Sequence, residues 1–226
     1  MPPPEKNIPN PSEALPDQPV QILNFEDCVV FLNKKGRELY GIHFKVNPAD
    51  YEIIYKILLY TIRDEVNAPK YGIDLSKGLL LAGPVGCGKS ALMRLMNYFH
   101  PPQVRYPIKC CRDVCFDFMA RGYEALHTYS YQSFVKREGV QIPRTWCFDD
   151  LGSESNLKYY GNECNVMGEI LLNRYDLFVH RDMITHLTTN LSAAEIEDFY
   201  GNRVRSRMRQ MFNLISFDKG SKDKRV

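Results

Sequence analysis

Between Leu79 and Met96 the chain reads LLLAGPVGCGKSALMRLM. A short apolar run is followed by the spacing G-x-x-x-x-G-K-S, met by Gly83, Gly88, Lys89 and Ser90, and then by an apolar helical pattern. Glycines at this spacing let the backbone curl until several N–H groups point inward at a phosphate, and a helix starting near Gly88 adds its positive end. Lys89 supplies a mobile charge for the β- and γ-phosphates of ATP, and the Ser90 hydroxyl a ligand for Mg²⁺. Four fixed positions of this kind coincide by accident in roughly one chain in a hundred of this length. The stretch therefore predicts strand, phosphate loop and helix, with Gly83, Pro84, Val85, Gly86, Cys87, Gly88, Lys89, Ser90 and Ala91 as the nucleotide contacts. Cys87 is either a small filler or a thiol made redox-sensitive by the helix end.

A second stretch, TWCFDDLG from Thr145 to Gly152, places two carboxylates at the end of an apolar strand. In parallel sheets such a position faces the crevice where ligands bind. Asp149 suits a metal ion, held directly or through water, and Asp150 suits the polarisation of an attacking water. A turn after a strand explains D-L-G equally well when it stands alone; a phosphate loop about sixty residues upstream tips the balance to hydrolysis. In HLTTNLS, Asn190 ends another apolar strand and would project into the same crevice, where an amide orients water. A strand followed by a capped helix also accounts for those residues. In YGNRVRSRMRQMF, Arg203 and Arg207 share one helical face beside an apolar stripe of Val204, Met208 and Met211. Either arginine could neutralise charge on a neighbouring subunit's transferring phosphate; a solvated basic helix is the plain alternative.

Around these motifs the chain alternates strand and helix. GLLLAG, YPIKCC, TWCFDD, MITHLTTN and FNLISF read as strands, and SALMRLMNYF, VCFDFMARGYEALHTY, NVMGEILLNRYDLF, SAAEIEDFY and RVRSRMRQM as helices. Ser192 and Glu195 form a capping box, and Gly201 closes the helix they begin. Such alternation predicts an α/β fold of three layers, a parallel sheet with helices on both faces. Upstream, NPADYEIIYKILLYTIRDEV is helical, with Ile54, Ile57, Leu58 and Thr61 at i, i+3, i+4, i+7 and Asp50 as its cap. The expected division is a Pro-rich disordered arm over 1–19, an N-terminal subregion with a helix over 20–66, a core over 67–217 and a basic tail over 218–226. The arm holds seven of the fourteen prolines.

Composition bounds the rest. A chain of 226 residues with 44% hydrophobic and 25% charged residues suits one α/β domain. It has no apolar run of membrane-spanning length and no apolar signal-peptide core, so a cytoplasmic protein without membrane contact is expected. Seven cysteines in no disulfide framework, with Cys110, Cys111 and Cys115 clustered but lacking C-x-x-C pairs or nearby histidines, read as buried thiols. The net charge of +2 excludes little, but from Asn202 onward eight Lys or Arg face two Asp, which suits either phosphate contact or a solvated tail.

Taken in order, GPVGCGKS, CFDDLG, THLTTNLS and YGNRVRSRMRQMF resemble the Walker A, Walker B, sensor 1 and arginine-finger regions of the DnaC/IstB-like AAA+ ATPases, bacterial helicase loaders and transposition helpers. The resemblance runs from about Lys77 to Phe217 and includes LLNRYD. It implies ATP and Mg²⁺ at Lys89 and Ser90, the metal at Asp149, the catalytic acid at Asp150, the sensor at Asn190 and the finger at Arg207 or Arg203. Asp150 stands where many AAA+ proteins have Glu, one methylene longer, which implies slow or partner-stimulated hydrolysis. Only a short tail follows the last strand, which implies an AAA+ core without the helical lid, as in this subgroup. The implied partners are DNA, in single-stranded form, a replicative helicase or a transposase, and further copies of the chain assembled with ATP and DNA. Phe118, Arg121, Tyr123, Tyr131 and Lys136 offer the aromatic and basic groups that single strands require. An ATP-dependent binding switch with negligible turnover stays open as the alternative; a small-molecule kinase would need an Arg-rich lid that the sequence does not offer.

Overall fold

The computed structural model describes residues 24–154, 157–159, 162–218, 220, 221, 223 and 224. The Pro-rich arm expected over 1–19 and Lys219, Lys222 and Arg225 of the basic tail lie outside the described residues. In chain order the elements are α1 (Phe25–Tyr40), α2 (Tyr51–Thr61), β1 (Gly78–Ala82), α3 (Lys89–Met96), β2 (Ile108–Cys110), α4 (Cys111–Arg121), α5 (Tyr123–Tyr129), β3 (Phe134–Arg137) and β4 (Val140–Pro143). They continue with β5 (Trp146–Leu151), β6 (Leu157–Tyr159), β7 (Asn162–Cys164), α6 (Val166–Arg181), β8 (Thr185–Thr189), α7 (Ala193–Met211) and β9 (Phe212–Ser216).

Five strands form a parallel sheet in the order β2-β5-β8-β1-β9. Its period-two alternation makes the layers. Leu79 and Leu81 of β1 enter one core with Leu32 of α1, Ile57 and Leu58 of α2 and Met93 of α3. Leu80 points the other way, into a second core with Phe118, Phe148, Ile170, Leu187 and Val204. Helices thus cover both faces, and the expected three-layer α/β fold is the observed one. The helices of the 20–66 segment belong to the same core as β1 rather than to a core of their own. Strand order also sets the crevice: β2, β5 and β8 lie on one side of β1, and the chain passes β1 to place β9 on the other. Ligands in open parallel sheets lodge beyond the carboxyl ends of strands at such a reversal.

Several local expectations hold and some are corrected. Ile54, Ile57, Leu58 and Thr61 all bury on α2, as their spacing demands. Asp50 stands at the N-cap position but makes no cap hydrogen bond; Asn47 caps the preceding 3-10 turn instead. The single helix expected over Val114–Tyr129 is two, α4 and α5, because Gly122 adopts φ 59°, ψ −137° between them. The capping box at Ser192 and Glu195 is present, and Gly201, at φ 83°, breaks the helical path within α7 where the sequence expects an end. Two hairpins, β3–β4 and β6–β7, carry no counterpart in the sequence reading. The first turns at Glu138 and Gly139, both with positive φ, the geometry of a two-residue hairpin turn that matches strand twist.

One residue staples the layers. Arg174, in the LLNRYD stretch of α6, is fully buried. Its guanidinium donates to Thr185 Oγ1 at 2.7 Å, the Tyr129 carbonyl at 2.8 Å, the Ile184 carbonyl at 2.8 Å and the Arg144 carbonyl at 3.1 Å. Burial pulls its pKa down to about 9. No helix among the described residues is long and apolar enough to cross a membrane.

Candidate nucleotide site

The loop from Gly83 to Ser90 follows β1 directly and runs into α3. Gly83, Gly86 and Gly88 have φ of 158°, 81° and 103°; at the last two a side chain would be strained, and glycine permits the curl. Lys89 folds back over its own loop, donating to the carbonyls of Gly83 at 2.8 Å and Pro84 at 2.9 Å. It is buried with neutral acceptors around its charge, an arrangement that suits an incoming anion. Cys87 is also fully buried in the first core, which favours the filler reading of that residue.

Across the crevice, Asp149 is buried within β5, two residues before its end. Its Oδ1 accepts from Ser90 Oγ at 2.7 Å and from Thr188 Oγ1 at 2.6 Å. A hydroxyl and a carboxylate side by side make a hard-oxygen pair that fits Mg²⁺ with water completing the shell. Asp150 follows with φ 63°, in the left-handed region. The pairing of β5 with β8 slips there, with three steps from Phe148 to Leu151 opposite two from Leu187 to Thr189. This bulge re-aims the side chain, and Asp150 ends exposed, its N–H donating to Thr188 Oγ1 at 2.8 Å.

Thr188 is the residue the sequence reading passed over. It is fully buried, donates to one aspartate and accepts from the backbone of the next. Its signal was present: in an extended strand Thr188 shares a face with Asn190, two positions on. Asn190 itself is exposed just beyond β8. Glu154, also unremarked in the sequence, is buried four positions after the second acid; its carboxylate accepts from the Tyr200 hydroxyl and from the Gly152 N–H at 3.0 Å. Burial raises the pKa of Glu154, and burial beside that carboxylate raises that of Tyr200.

The two arginine candidates both lie on α7. Arg203 is exposed. Arg207 stacks over the Tyr175 ring at 4.4 Å and donates to its hydroxyl at 3.3 Å. Arg205, on the other side of the stripe, pairs with Glu197 and leaves its Nε buried without a partner among the described residues.

The nucleic-acid candidates divide. Tyr123 and Tyr131 are 56% and 48% exposed, and Arg121 and Lys136 are exposed. Phe118 is corrected: it is 0% exposed inside the second core, where no base can reach its ring. The cysteine cluster is core material in the main; Cys111 and Cys115 are buried, and burial pushes the Cys115 thiol up to about 12.

No protein-family model and no curated protein sequence matches the chain. Solved structures do. The crystal structure of the DnaC helicase loader aligns with 78% of this chain and 94% of its own, at 18% identity and TM-score 0.52. Domain III of the Thermotoga maritima replication initiation protein DnaA aligns with 77% of this chain and 65% of its own, at 15% identity and TM-score 0.51. At such identities the likeness establishes the fold alone, the α/β fold that this chain shares with these two structures.

Proposed function

We propose that the chain is an AAA+ ATPase that binds ATP with Mg²⁺ and hydrolyses it to load or remodel a protein partner on DNA. The observation that carries this reading is the meeting of Ser90, Asp149 and Thr188 across the sheet, with Lys89 beside them. The loop amides and Lys89 hold the triphosphate, and Ser90 with Asp149 would hold Mg²⁺, whose charge offsets that developing on the phosphates. Asp150, exposed at the crevice, accepts the proton of an attacking water, and Asn190 orients it. Arg207 or Arg203 of a neighbouring copy neutralises the transferring phosphate, which makes turnover a property of the assembly.

The partner is a replicative helicase or a transposase, on the strength of the motif set and the fold shared with DnaC. Tyr123, Tyr131, Arg121 and Lys136 supply the stacking and charge for single-stranded DNA. An alternative gains weight from the exposed, left-handed Asp150, shorter than Glu by one methylene. In it the nucleotide orders a DNA- or protein-binding surface with negligible turnover.

ATP turnover with and without single-stranded DNA tests the scheme. Lys89→Ala should abolish it, and a rate untouched by that change would discard the loop assignment. Asp150→Asn should stop the action on DNA if turnover drives it, and leave the ATP-bound form active if the switch reading is correct. Pull-down of a hexameric helicase or of a transposase chooses the setting.

A further inference from the structure

Beyond β9 the chain turns back onto the phosphate loop. Phe217 continues the β1 edge, its N–H donating to the Ala82 carbonyl at 2.8 Å, and is buried against Gly83. Lys224 then meets the loop twice. Its backbone N–H donates to the Gly86 carbonyl at 3.0 Å, and its ammonium to the Cys87 carbonyl at 2.5 Å. The same ammonium reaches Asp50 Oδ2 at 2.5 Å, at the start of α2, and lies 5.2 Å from the Phe217 ring centre. Asp223 rests on Gly86 so closely that a Cβ there would fall 2.2 Å from its carboxyl carbon.

Two successive carbonyls are therefore held on one side of the loop by one residue. A trans peptide is planar, with its N–H pointing opposite to its C=O. Fixing the Gly86 oxygen turns the Cys87 N–H the other way, and fixing the Cys87 oxygen does so for the Gly88 N–H. The Cys87 N–H does point across the loop, where it donates a long bond of 3.4 Å to the Pro84 carbonyl that a phosphate oxygen would replace. A cation on the oxygen side also draws electron density from the amide and strengthens it as a donor.

We propose that Lys224 is a positioning residue of the phosphate loop, holding the Gly86 and Cys87 carbonyls outward so that the next two amides face the phosphates of a nucleoside di- or triphosphate. The proposal rests on the reading of the loop as a nucleotide site. Lys224 acts through the peptide planes it anchors.

Calorimetric titration of ADP into the full chain tests it, with the unfolding midpoint measured in the same buffers without nucleotide. Lys224→Met, which keeps the stem and removes the donor charge, should weaken ADP binding by about tenfold. Lys224→Arg should restore affinity to within about threefold of wild type, since a charged donor returns. Asp50→Asn leaves the contacts with the loop carbonyls in place and should also bind ADP within about threefold of wild type, whatever it costs in stability. Unchanged or tighter binding by Lys224→Met overturns the proposal, tighter binding meaning that the segment obstructs the loop. Equal losses in Lys224→Met and Asp50→Asn overturn it as well, because the lysine would then act only by tethering α2. If wild type binds ADP no better than Lys89→Ala, the nucleotide reading fails and takes this one with it; wild-type binding with an indifferent Lys224→Met sinks the positioning role alone.

Discussion

The Ser90 hydroxyl donates at 2.7 Å to Oδ1 of Asp149, 59 positions away in the chain. Ser90 lies in the first turn of α3, which follows β1, and Asp149 lies on β5, and these two strands are not neighbours, since β8 runs between them. Thr188 fills that gap and donates to the same oxygen. Removing the Thr188 hydroxyl as Thr188→Val leaves the Asp149 oxygen and the Asp150 N–H short of a buried partner, so stability should fall by about 1–3 kcal/mol in denaturant unfolding. Thr188→Ser should recover most of it. Under the proposed function, turnover of ATP should fall in Thr188→Val and by about a hundredfold or more in Asp149→Asn, which removes the carboxylate proposed to hold the metal.

A buried imidazole makes the fold acid-sensitive. His186 of β8 lies between the rings of Tyr60 and Tyr106, and its Nδ1 accepts from the Leu79 N–H at 3.0 Å. Burial, with His100 and Arg174 adding repulsion, pulls its pKa down to about 3. An unfolded chain takes up the proton near pH 6.5 and the folded one resists it, so this contribution is complete above about 6.5 and is lost as pH falls towards about 3. Between pH 7 and pH 5 the unfolding free energy should drop by about 2 kcal/mol from this group. His186→Asn, which retains an acceptor without the titration, should flatten the slope; an unaltered slope would assign it to other groups.

Arg174 should be the least tolerant position in the fold. Its guanidinium serves four acceptors drawn from α5, from the β8 strand and from the segments leading into β5 and β8. Arg174→Ala strands those acceptors and opens a cavity, and about 3–5 kcal/mol of stability should go. Chemical denaturation reads this directly, with Arg203→Ala as a surface control expected to stay within about 0.5 kcal/mol.

The finger assignment predicts complementation. Lys89→Ala and Arg207→Ala chains should each be inactive alone. Mixed, they should regain a part of the DNA-stimulated turnover, because the first lends its arginine to the intact loop of the second. Repeating the mixture with Arg203→Ala decides between the two arginines. No recovery with either places the arginine's work within its own chain.

Much of this is legible in the sequence. The glycine spacing from Gly83 to Gly88 marks its own conformation, because φ values of 81° and 103° at Gly86 and Gly88 are ones that other residues resist. The i, i+3, i+4 stripe of α2 and the capping box at Ser192 are equally local. Phe118 misled because an aromatic beside basic residues reads alike whether it stacks on a base or fills a core. Gly122 split a helix that side-chain periodicity joined.

The sequence by itself determined the elements and the groups that the proposed chemistry needs: a G-x-x-x-x-G-K-S loop after an apolar strand, paired acids towards the end of another, and strand–helix alternation. Those signals act across a few residues, through allowed dihedrals and the two- and 3.6-residue repeats. Tertiary structure alone decided that β8 separates β1 from β5, that Thr188 bridges the acids, and that Lys224 returns to the Cys87 carbonyl from 137 positions away. Contacts of that span depend on strand order, which follows from how both faces of the sheet are covered at once and not from any one segment's preference.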